Sequence, residues 1–339
     1  MKTLIIRTDR LGDFYQTIPY INCLTRVYGK RNVDVVVKKH IYPHIKKKKY
    51  LYNNLYSFEK NGFFSKVLLI LKLRNNNYKQ IVIFDGKDRS IILSKFLNVD
   101  KIFHTYPQKK INTLTKIFFS KKYTTILDDQ TIPLEYLYKS ILDKIGVKII
   151  KRDYKILLHH NIKKINIFKN ENIKNKKYIL IHIDEKWFSD FYIKKFTNFS
   201  LKKNDFFLFI KKIVKKCHVN LIITTGTIDL PFITEISNEY FNVNKKGYYY
   251  SNIGKYKIFL LKNISIENLE IVTMNAKSLI TCHGPLSLIS GSFNVNLIDI
   301  IEKTREKWYE RHTSHILKYN KLYRMKFSKL AKKIILKLK

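Results

Sequence analysis

The chain has 339 residues, of which 45% are hydrophobic and 14% aromatic, so it can bury sizeable cores and global disorder is excluded. At this length, two domains of about 150 residues each are expected. Lys and Arg total 66 against 26 Asp and Glu, and the formal net charge of +40 favours polyanions, anionic membrane surfaces or phosphorylated small molecules as partners. A compositional bias toward Lys, Asn and Ile explains the charge equally well.

The cysteines Cys23, Cys217 and Cys282 are isolated and lack the spacing of a disulfide framework or a zinc site. A reducing cytoplasm is therefore the expected compartment. No stretch approaches about 18 consecutive apolar residues, and no small-residue cleavage site follows the first strand-like segment. The sequence thus predicts neither a membrane-spanning helix nor an export signal.

The first half of the chain alternates short apolar runs with helix-length segments. Strands are predicted for TLIIRT, VDVVV, KQIVIFDG, KIFHTY and TTILDD, and helices for residues 14–28, DRSIILSKFLN and PLEYLYKSILDKIG. Such alternation is typical of βαβ units around a mainly parallel sheet. Residues 1–160 are therefore expected to form one Rossmann-like lobe.

The alternation weakens between Lys155 and Lys177, a Lys/Asn-rich stretch that we interpret as the connection between two lobes. It resumes over residues 173–305, with strands YILIHID, VNLIITTG, IFLLKN, SLITCHG and NLIDII. Helices are predicted to contain NDFFLFIKKIVKKC and to begin near Ser265 and Pro285. The second lobe is therefore expected to be α/β as well.

The tail, residues 306–339, is predicted to form a basic amphipathic helix. Its apolar residues recur every three or four positions: Tyr319, Tyr323, Phe327, Leu330 and Ile334. We expect the apolar side to pack on the first lobe. The charged side is then available to anionic lipid.

The segment RTDRLGD follows the first predicted strand, and loops at this position bind ligands in open α/β sheets. Gly12 permits a tight turn and the close approach of a substrate. Asp13 has a structural alternative, because an aspartate at the start of a helix is a good N-cap. Local chemistry alone favours the capping role.

Two segments of the first lobe resemble glycosyltransferase family 9, the ADP-heptose:lipopolysaccharide heptosyltransferases. RTDRLGDFYQTIP is similar to a motif that reads R-x-G-D and then T-x-P, and the matching residues are Arg10, Gly12, Asp13, Thr17 and Pro19. IVIFDGKDRSIILSKFLNVDKI is similar to D-L-Q-G-x-x-R-S, with matches at Asp85, Gly86, Arg89 and Ser90. The resemblance implies the GT-B fold, two Rossmann-like lobes that face a central cleft.

The second lobe resembles the same family in the expected order. HIDEKWFSDFYIKKF has a Lys beside a Trp, and LIITTGTIDLPF has a strand ending in Gly226. KNISIENLEIVTMNAKSLITCHGPLSLISGSFNVNLIDI covers the longest motif, which begins with a helix starting Ser-x-Glu. At its most diagnostic site the family has Asp-Thr-Gly-Pro-x-His. Gly284 and Pro285 agree with it, whereas Cys282 and Ser287 replace the acidic residue and the later His, which leaves the donor sugar open.

The resemblance implies inverting, metal-independent transfer of a sugar from a nucleotide-sugar donor to a lipopolysaccharide core or other surface-glycan acceptor. Asp13 is the expected general base. The expected donor-binding residues are Lys186, Gly226, Ser265, Glu267, His283, Gly284, Pro285 and Ser287, and the expected acceptor-binding residues are Arg10, Gly12, Lys87 and Arg89. No metal ligand is expected, since the sequence contains no Asp-x-Asp, and the nucleotide-sugar is a co-substrate, so no cofactor is expected either.

Plainer alternatives exist for several of these residues. Single Arg and Lys residues such as Arg10, Lys87 and Arg89 are commonly just solvated, and His283 could satisfy a local carbonyl. A rival for the whole chain is a nucleic-acid-binding protein, which the charge and the stretch KKKKYLYNNLYSF favour. That rival leaves the ordered βαβ motifs unexplained. We therefore expect a cytoplasmic enzyme, peripheral on the inner face of the cell membrane, with a glycan or lipid-linked glycan acceptor and no specific nucleic acid partner.

Overall fold

The structure is a computed structural model, which describes residues 1–59, 61–111, 122–155, 165–171, 173, 177–188, 201–245 and 248–338. The chain divides into two compact units. The first contains Met1–Leu157 and Glu310–Ser314, and the second contains Leu158–Tyr309 and His315–Lys339. Each unit has helices around its own mainly parallel sheet, which confirms the fold class of two Rossmann-like lobes.

The first unit contains a six-stranded sheet. Its strands are β1 (Thr3–Arg7), β2 (Val33–Lys38), β3 (Leu55–Phe58), β4 (Gln80–Ile83), β5 (Lys101–Pro107) and β6 (Tyr123–Asp128). Its helices are α1 (Leu11–Tyr28), α2 (Tyr42–Lys46), α3 (Phe63–Arg74), α4 (Asp88–Lys95) and α5 (Leu134–Ile145). The strand order is β3-β2-β1-β4-β5-β6, and every neighbouring pair is parallel.

The central strands of this sheet are apolar runs because helices cover both faces of a parallel sheet. Every residue of β1, TLIIR, is buried, and so is every residue of β4, QIVI. Ile5 pairs with Val35 of β2 on one side and with Val82 of β4 on the other. This continuous burial explains why the predicted strands were recognisable from composition.

The second unit contains an eight-stranded sheet. Its strands are β7 (Tyr178–Ile183), β8 (Asn220–Thr225), β9 (Asn242–Val243), β10 (Tyr249–Ile253), β11 (Tyr256–Leu261), β12 (Ser278–Cys282), β13 (Asn296–Ile301) and β14 (Tyr319–Tyr323). Its helices are α6 (Asn166–Asn170), α7 (Lys203–Cys217), α8 (Pro231–Tyr240), α9 (Ile266–Asn275), α10 (Pro285–Ser292), α11 (Glu306–Thr313), whose last residues belong to the first unit, and α12 (Phe327–Lys337). The strand order is β14-β13-β12-β7-β8-β11-β10-β9, in which β9 and β10 are antiparallel additions.

The tail differs from the single helix predicted over residues 306–339. It forms α11, then β14, then α12, and β14 pairs in parallel with β13 from Leu297↔Tyr319 to Ile301↔Tyr323. A spacing of four residues between two tyrosines fits either a helix or a strand, and pairing with β13 selects the strand. The amphipathic C-terminal helix itself is present, and it begins at Phe327.

Helix α12 packs on the second unit, not on the first lobe as predicted. Phe327, Leu330 and Ile334 are buried in the core of that unit. The ring of Phe327 meets that of Phe209 on α7 edge-on, with 5.4 Å between ring centroids. The apolar side of this helix is therefore part of the hydrophobic core of the second unit.

Each unit buries a histidine on an interior strand of its sheet, which predicts acid sensitivity. Burial lowers the pKa of His104 on β5 and of His182 on β7 to about 4. The unfolded chain, with histidine pKa values near 6.5, then binds protons first, so stability is complete above pH 6.5 and is lost as the pH falls toward 4. Between pH 7 and pH 5 we expect a loss of about 2 kcal/mol per histidine.

Urea unfolding at several pH values tests this expectation, with far-UV circular dichroism as the signal. His104→Gln and His182→Gln should each flatten the pH dependence of the unfolding free energy, whatever their effect at pH 7. An unchanged slope in both variants would show that other groups cause the acid sensitivity.

Candidate active site

The predicted acceptor-binding residues of the first unit converge at one point of its sheet. β1 and β4 are neighbours, and the chain continues from β1 to one side of the sheet and from β4 to the other. Ligands bind in open α/β sheets at the carboxyl ends of the strands where the order reverses in this way. Arg10, Gly12 and Asp13 follow β1, and Lys87 and Arg89 follow β4, so both predicted segments lie at this point.

Asp85 ties the two loops together. Its Oδ2 accepts hydrogen bonds from the backbone N–H and the hydroxyl of Thr8, both at 2.8 Å, and from the hydroxyl of Ser90 at 2.7 Å. Arg89 donates from Nε to Thr8 Oγ1 (2.7 Å) and from Nη2 to the Thr8 carbonyl (2.8 Å). Arg89 therefore holds the loop after β1, a role that the prediction of acceptor contact did not include.

Asp13 is the third residue of α1, and Arg10 is the N-cap. One oxygen of Asp13, Oδ2, accepts the backbone N–H of Arg10 at 3.3 Å. Asp13 is therefore not the N-cap residue itself, as considered from the sequence. It caps the helix from position N3, as the carboxylate half of a capping box. Because this contact uses one oxygen and the side chain is partly exposed, Asp13 can also meet a substrate.

Two charged residues that the sequence analysis did not single out lie at the same edge. Arg7 is buried, and its Nη1 lies 3.8 Å from Asp9 Oδ2. Burial by itself lowers the pKa of Arg7, but Tyr138 and the carboxylates of Asp9, Asp13 and Asp85 raise it above its usual value. For the carboxyl group of Asp9 the effect of burial has the opposite sign: burial raises its pKa, and the nearby charge of Arg7 only partly offsets this rise. The sequence feature that could have indicated Arg7 is an arginine at the end of an otherwise apolar strand.

The second unit repeats this arrangement. β7 and β12 are neighbours, and the chain continues from β7 to β8 and β11 on one side and from β12 to β13 and β14 on the other. Lys186 follows β7, whereas His283 and Gly284 follow β12. The reversal of strand order thus brings the predicted donor-binding segments to one point.

Lys186 is in direct contact with the loop after β12. Its Nζ donates to Asp184 Oδ2 at 2.9 Å and to the His283 carbonyl at 2.8 Å. Burial by itself lowers the pKa of Lys186, but Asp184 raises it above the usual value, so the ammonium stays charged. A Cβ on Gly284, the N-cap of α10, would lie only 3.1 Å from Lys186 Nζ. The glycine therefore makes room for the ammonium at the start of a helix.

A buried carboxylate organises the other side of this loop. Asp299 on β13 accepts hydrogen bonds from His283 Nδ1 (2.6 Å), from the Ser287 hydroxyl (2.9 Å) and from the Tyr319 hydroxyl (3.3 Å). Ser287 Oγ also accepts the Gly284 N–H at 3.3 Å. Ser287 is completely buried, so its geometry favours supporting the loop over the direct donor contact predicted from the sequence. The signal for Asp299 was a charge inside the apolar run NLIDII.

The remaining predicted donor residues lie along the same edge of the sheet. Gly226 follows β8, the strand next to β7, and Ser265 lies after β11, one strand further. Ser265 is the N-cap of α9, as predicted, and its hydroxyl accepts the Asn268 N–H at 3.3 Å. Glu267 is in the first turn of that helix, and Pro285 is the first residue of α10.

Aromatic rings border His283. Its ring centroid lies 4.7 Å from that of Tyr309 and 5.8 Å from that of Trp308, both in edge-on contact. The guanidinium of Arg305 lies over Trp308, 4.8 Å from the ring centroid. The His283 ring is thus held by edge-on packing against two aromatic rings and by the hydrogen bond from Nδ1 to Asp299.

Two negative findings concern the described part of the chain. No group of three or more His, Cys, Asp and Glu side chains there is arranged to hold a metal ion. No helix there is both long and apolar enough to cross a bilayer. Cys282, which stands where the resembled family has an acidic residue, is buried, and burial raises the pKa of its thiol to about 12.

No family model matches the chain, and no curated protein matches it in sequence. Among solved structures, it is similar to a glycosyl transferase family 9 protein from Veillonella parvula, with a TM-score of 0.68, 12% identity, and coverage of 98% of this chain and 88% of that chain. It is also similar to E. coli ADP-heptose lps heptosyltransferase II (TM-score 0.65, 12% identity, coverage 100% and 97%). E. coli heptosyltransferase WaaC with ADP is comparable (TM-score 0.64, 12% identity, coverage 99% and 100%). At these identities the likeness concerns the fold, and at that level the resemblance indicated by the motifs is confirmed.

Asp299→Asn is expected to destabilise the second unit by about 2–3 kcal/mol, because it removes the charge that three donors share and turns an amide N–H toward one of them. Asp205→Asn, an exposed residue in the first turn of α7, should cost about 0.5 kcal/mol or less. Urea unfolding followed by tryptophan fluorescence measures both, since the 2 tryptophans of the chain, Trp187 and Trp308, belong to the second unit. Equal stability of the two variants would contradict the supporting role of Asp299.

Proposed function

We propose that the protein is a glycosyltransferase that moves a sugar from a nucleoside-diphosphate sugar to a lipopolysaccharide core or another surface-glycan acceptor, with inversion at the anomeric carbon. One observation carries the proposal: a charged lysine, Lys186, donates to the carbonyl of His283, the residue before the N-cap Gly284 of α10, at the reversal point of the second sheet. The similarity in fold to glycosyltransferase family 9 and heptosyltransferase structures supports it.

The second unit would bind the donor through its diphosphate. An ammonium has three N–H donors, and Asp184 and His283 use two of those on Lys186, which leaves one for a phosphate oxygen, counting the described residues. The N-terminus of α10 adds the positive end of the helix dipole. Both would stabilise the negative charge that grows on the leaving diphosphate. Gly226, Ser265 and Glu267 would line the nucleoside side of the site, where the Glu267 carboxylate can accept a ribose hydroxyl.

The first unit would bind the acceptor and remove its proton. In our proposal the acceptor oxygen attacks the anomeric carbon, its proton passes to Asp13, and the bond from that carbon to the phosphate oxygen breaks, which releases the nucleoside diphosphate. Arg10, Gly12 and Lys87 would contact the acceptor. Arg89 would keep the loop after β1 in position through Thr8.

We further propose that transfer requires no divalent cation, because Lys186 and the N-terminus of α10 supply the positive charge. The proposed location is cytoplasmic and peripheral, on the inner face of the cell membrane. The net charge of +40 supports this location, since each basic residue near an anionic leaflet contributes about 1 kcal/mol.

A thermal-shift screen of ADP, UDP, GDP and CDP, with and without EDTA, tests the donor site. We expect one nucleotide to raise the melting temperature by about 5 °C at saturating concentration, insensitive to chelator. Lys186→Ala should abolish the shift, whereas Lys332→Ala, an exposed lysine of α12, should keep it. If short RNA stabilises the protein and no nucleotide does, the nucleic-acid-binding alternative is correct; if EDTA removes the shift, the metal-free mechanism is wrong.

Asp13→Asn is expected to lower the transfer rate by about 100 to 10,000-fold while the nucleotide-induced shift persists. The amide keeps an oxygen that can accept the Arg10 N–H, so the helix start should be preserved. Asp88→Asn, which changes a first-turn aspartate of the neighbouring helix α4, serves as the matched control and should transfer normally. Release of nucleoside diphosphate with the identified donor and acceptor measures the rate. If Asp13→Asn instead unfolds the first unit, the aspartate is a capping residue.

A further inference from the structure

Helix α3 presents apolar side chains to solvent as well as to the core. Leu69 and Leu73 are buried in the first unit. On the opposite side, Phe64 is 81% exposed, Leu68 58% and Leu71 51%. These three residues are spaced i, i+4 and i+7, so they form one continuous stripe along the helix. A surface helix normally carries polar residues at such positions, and their replacement by Phe and Leu indicates a surface that another body covers.

Cations border this apolar stripe. The sequence of α3, FFSKVLLILKLR, contains Lys66, Lys72 and Arg74 and no acidic residue. At 100° per residue, Lys72 lies on one side of the stripe beside Leu68, and Arg74 lies on the other side. The helix thus combines an exposed apolar stripe with a positively charged border.

The apolar surface continues onto α4 and toward the candidate acceptor site. Arg74 Nε donates to the carbonyl of Phe96 at 2.6 Å, which brings the end of α3 beside the end of α4. Phe96 and Ile92 are each about half exposed. The other end of α4 carries Arg89, and an eight-residue helix is about 12 Å long. Helix α4 therefore has this apolar surface at one end and Arg89 of the candidate acceptor site at the other.

We propose that this surface, the outer face of α3 with Ile92 and Phe96, docks the protein on an anionic lipid bilayer. Apolar side chains would enter the headgroup boundary while the bordering cations meet lipid phosphates. A second copy of the chain fits the surface less well, because it would bring identical cations and two charges of +40 together.

The C-terminal helix, from which the sequence suggested a lipid contact, is a poorer candidate. Its apolar side, including Leu330 and Ile334, is buried in the second unit, and Leu336 is its one strongly exposed large apolar residue among those described. We therefore place the proposed lipid-binding surface on the first unit, and not on the tail as the sequence suggested. This inference does not depend on sugar transfer, because lipid binding needs no donor.

Vesicle flotation of the full chain tests the proposal, with phosphatidylcholine vesicles alone and mixed with phosphatidylglycerol. Phe64→Gln/Leu68→Gln/Leu71→Gln should weaken binding to the anionic vesicles by at least about tenfold, since three apolar side chains no longer insert. The control Ile228→Gln/Leu317→Gln/Leu336→Gln removes three exposed apolar residues of the second unit and should change binding by less than about twofold. Light scattering of each variant reports the oligomeric state.

A second variant keeps the test decisive if the triple substitution unfolds α3. Lys72→Glu/Arg74→Glu, which reverses the two cations that border the stripe, retains the stripe and should lose the preference for anionic vesicles. The proposal is wrong if the wild type fails to bind anionic vesicles, if a folded triple variant binds as the wild type does, or if the triple substitution converts a dimer to a monomer without affecting lipid. Nucleotide stabilisation in the thermal-shift screen reports separately on the proposed transfer function, so failure of one proposal is distinguishable from failure of the other.

Discussion

Each sheet reverses its strand order beside the first strand of its unit, β1 in one and β7 in the other. In a parallel sheet all carboxyl ends meet at one edge, and at the reversal the two following connections leave in opposite directions. Segments far apart in sequence therefore meet: Thr8 contacts Asp85 and Lys186 contacts His283, across 77 and 97 positions. The long-range contacts that we assign to function depend on this constraint.

The local electrostatics of the two sites differ although the chain as a whole is strongly basic. The edge of the first sheet collects the carboxylates of Asp9, Asp13 and Asp85 around the buried Arg7. The edge of the second sheet has the ammonium of Lys186 at a helix N-terminus, oriented by Asp184. Proton acceptance suits the first environment and a leaving diphosphate suits the second. Net charge thus says little about either site.

Net charge is more informative about surfaces. Helices α3 and α12 are both basic and rich in apolar residues, yet they use their apolar stripes differently. Phe327, Leu330 and Ile334 of α12 complete the core of the second unit, whereas the outer stripe of α3 faces solvent. Lipid attraction is consequently expected where the cations surround an uncovered stripe, and not simply where cations are most numerous.

From the sequence alone, the α/β class, the order of most strands and helices, the N-cap at Ser265 and the loops that carry Asp13, Lys186 and Gly284 could be predicted. These features depend on local periodicity and on short-range backbone chemistry. The sequence analysis missed the hairpin of β9 and β10, the strand β14 inside a helix-like tail, and the charges at Arg7 and Asp299. Only the tertiary structure decided them, because a strand at the sheet edge is defined by a distant pairing partner. A buried charge, likewise, is defined by which donors and acceptors the fold brings around it.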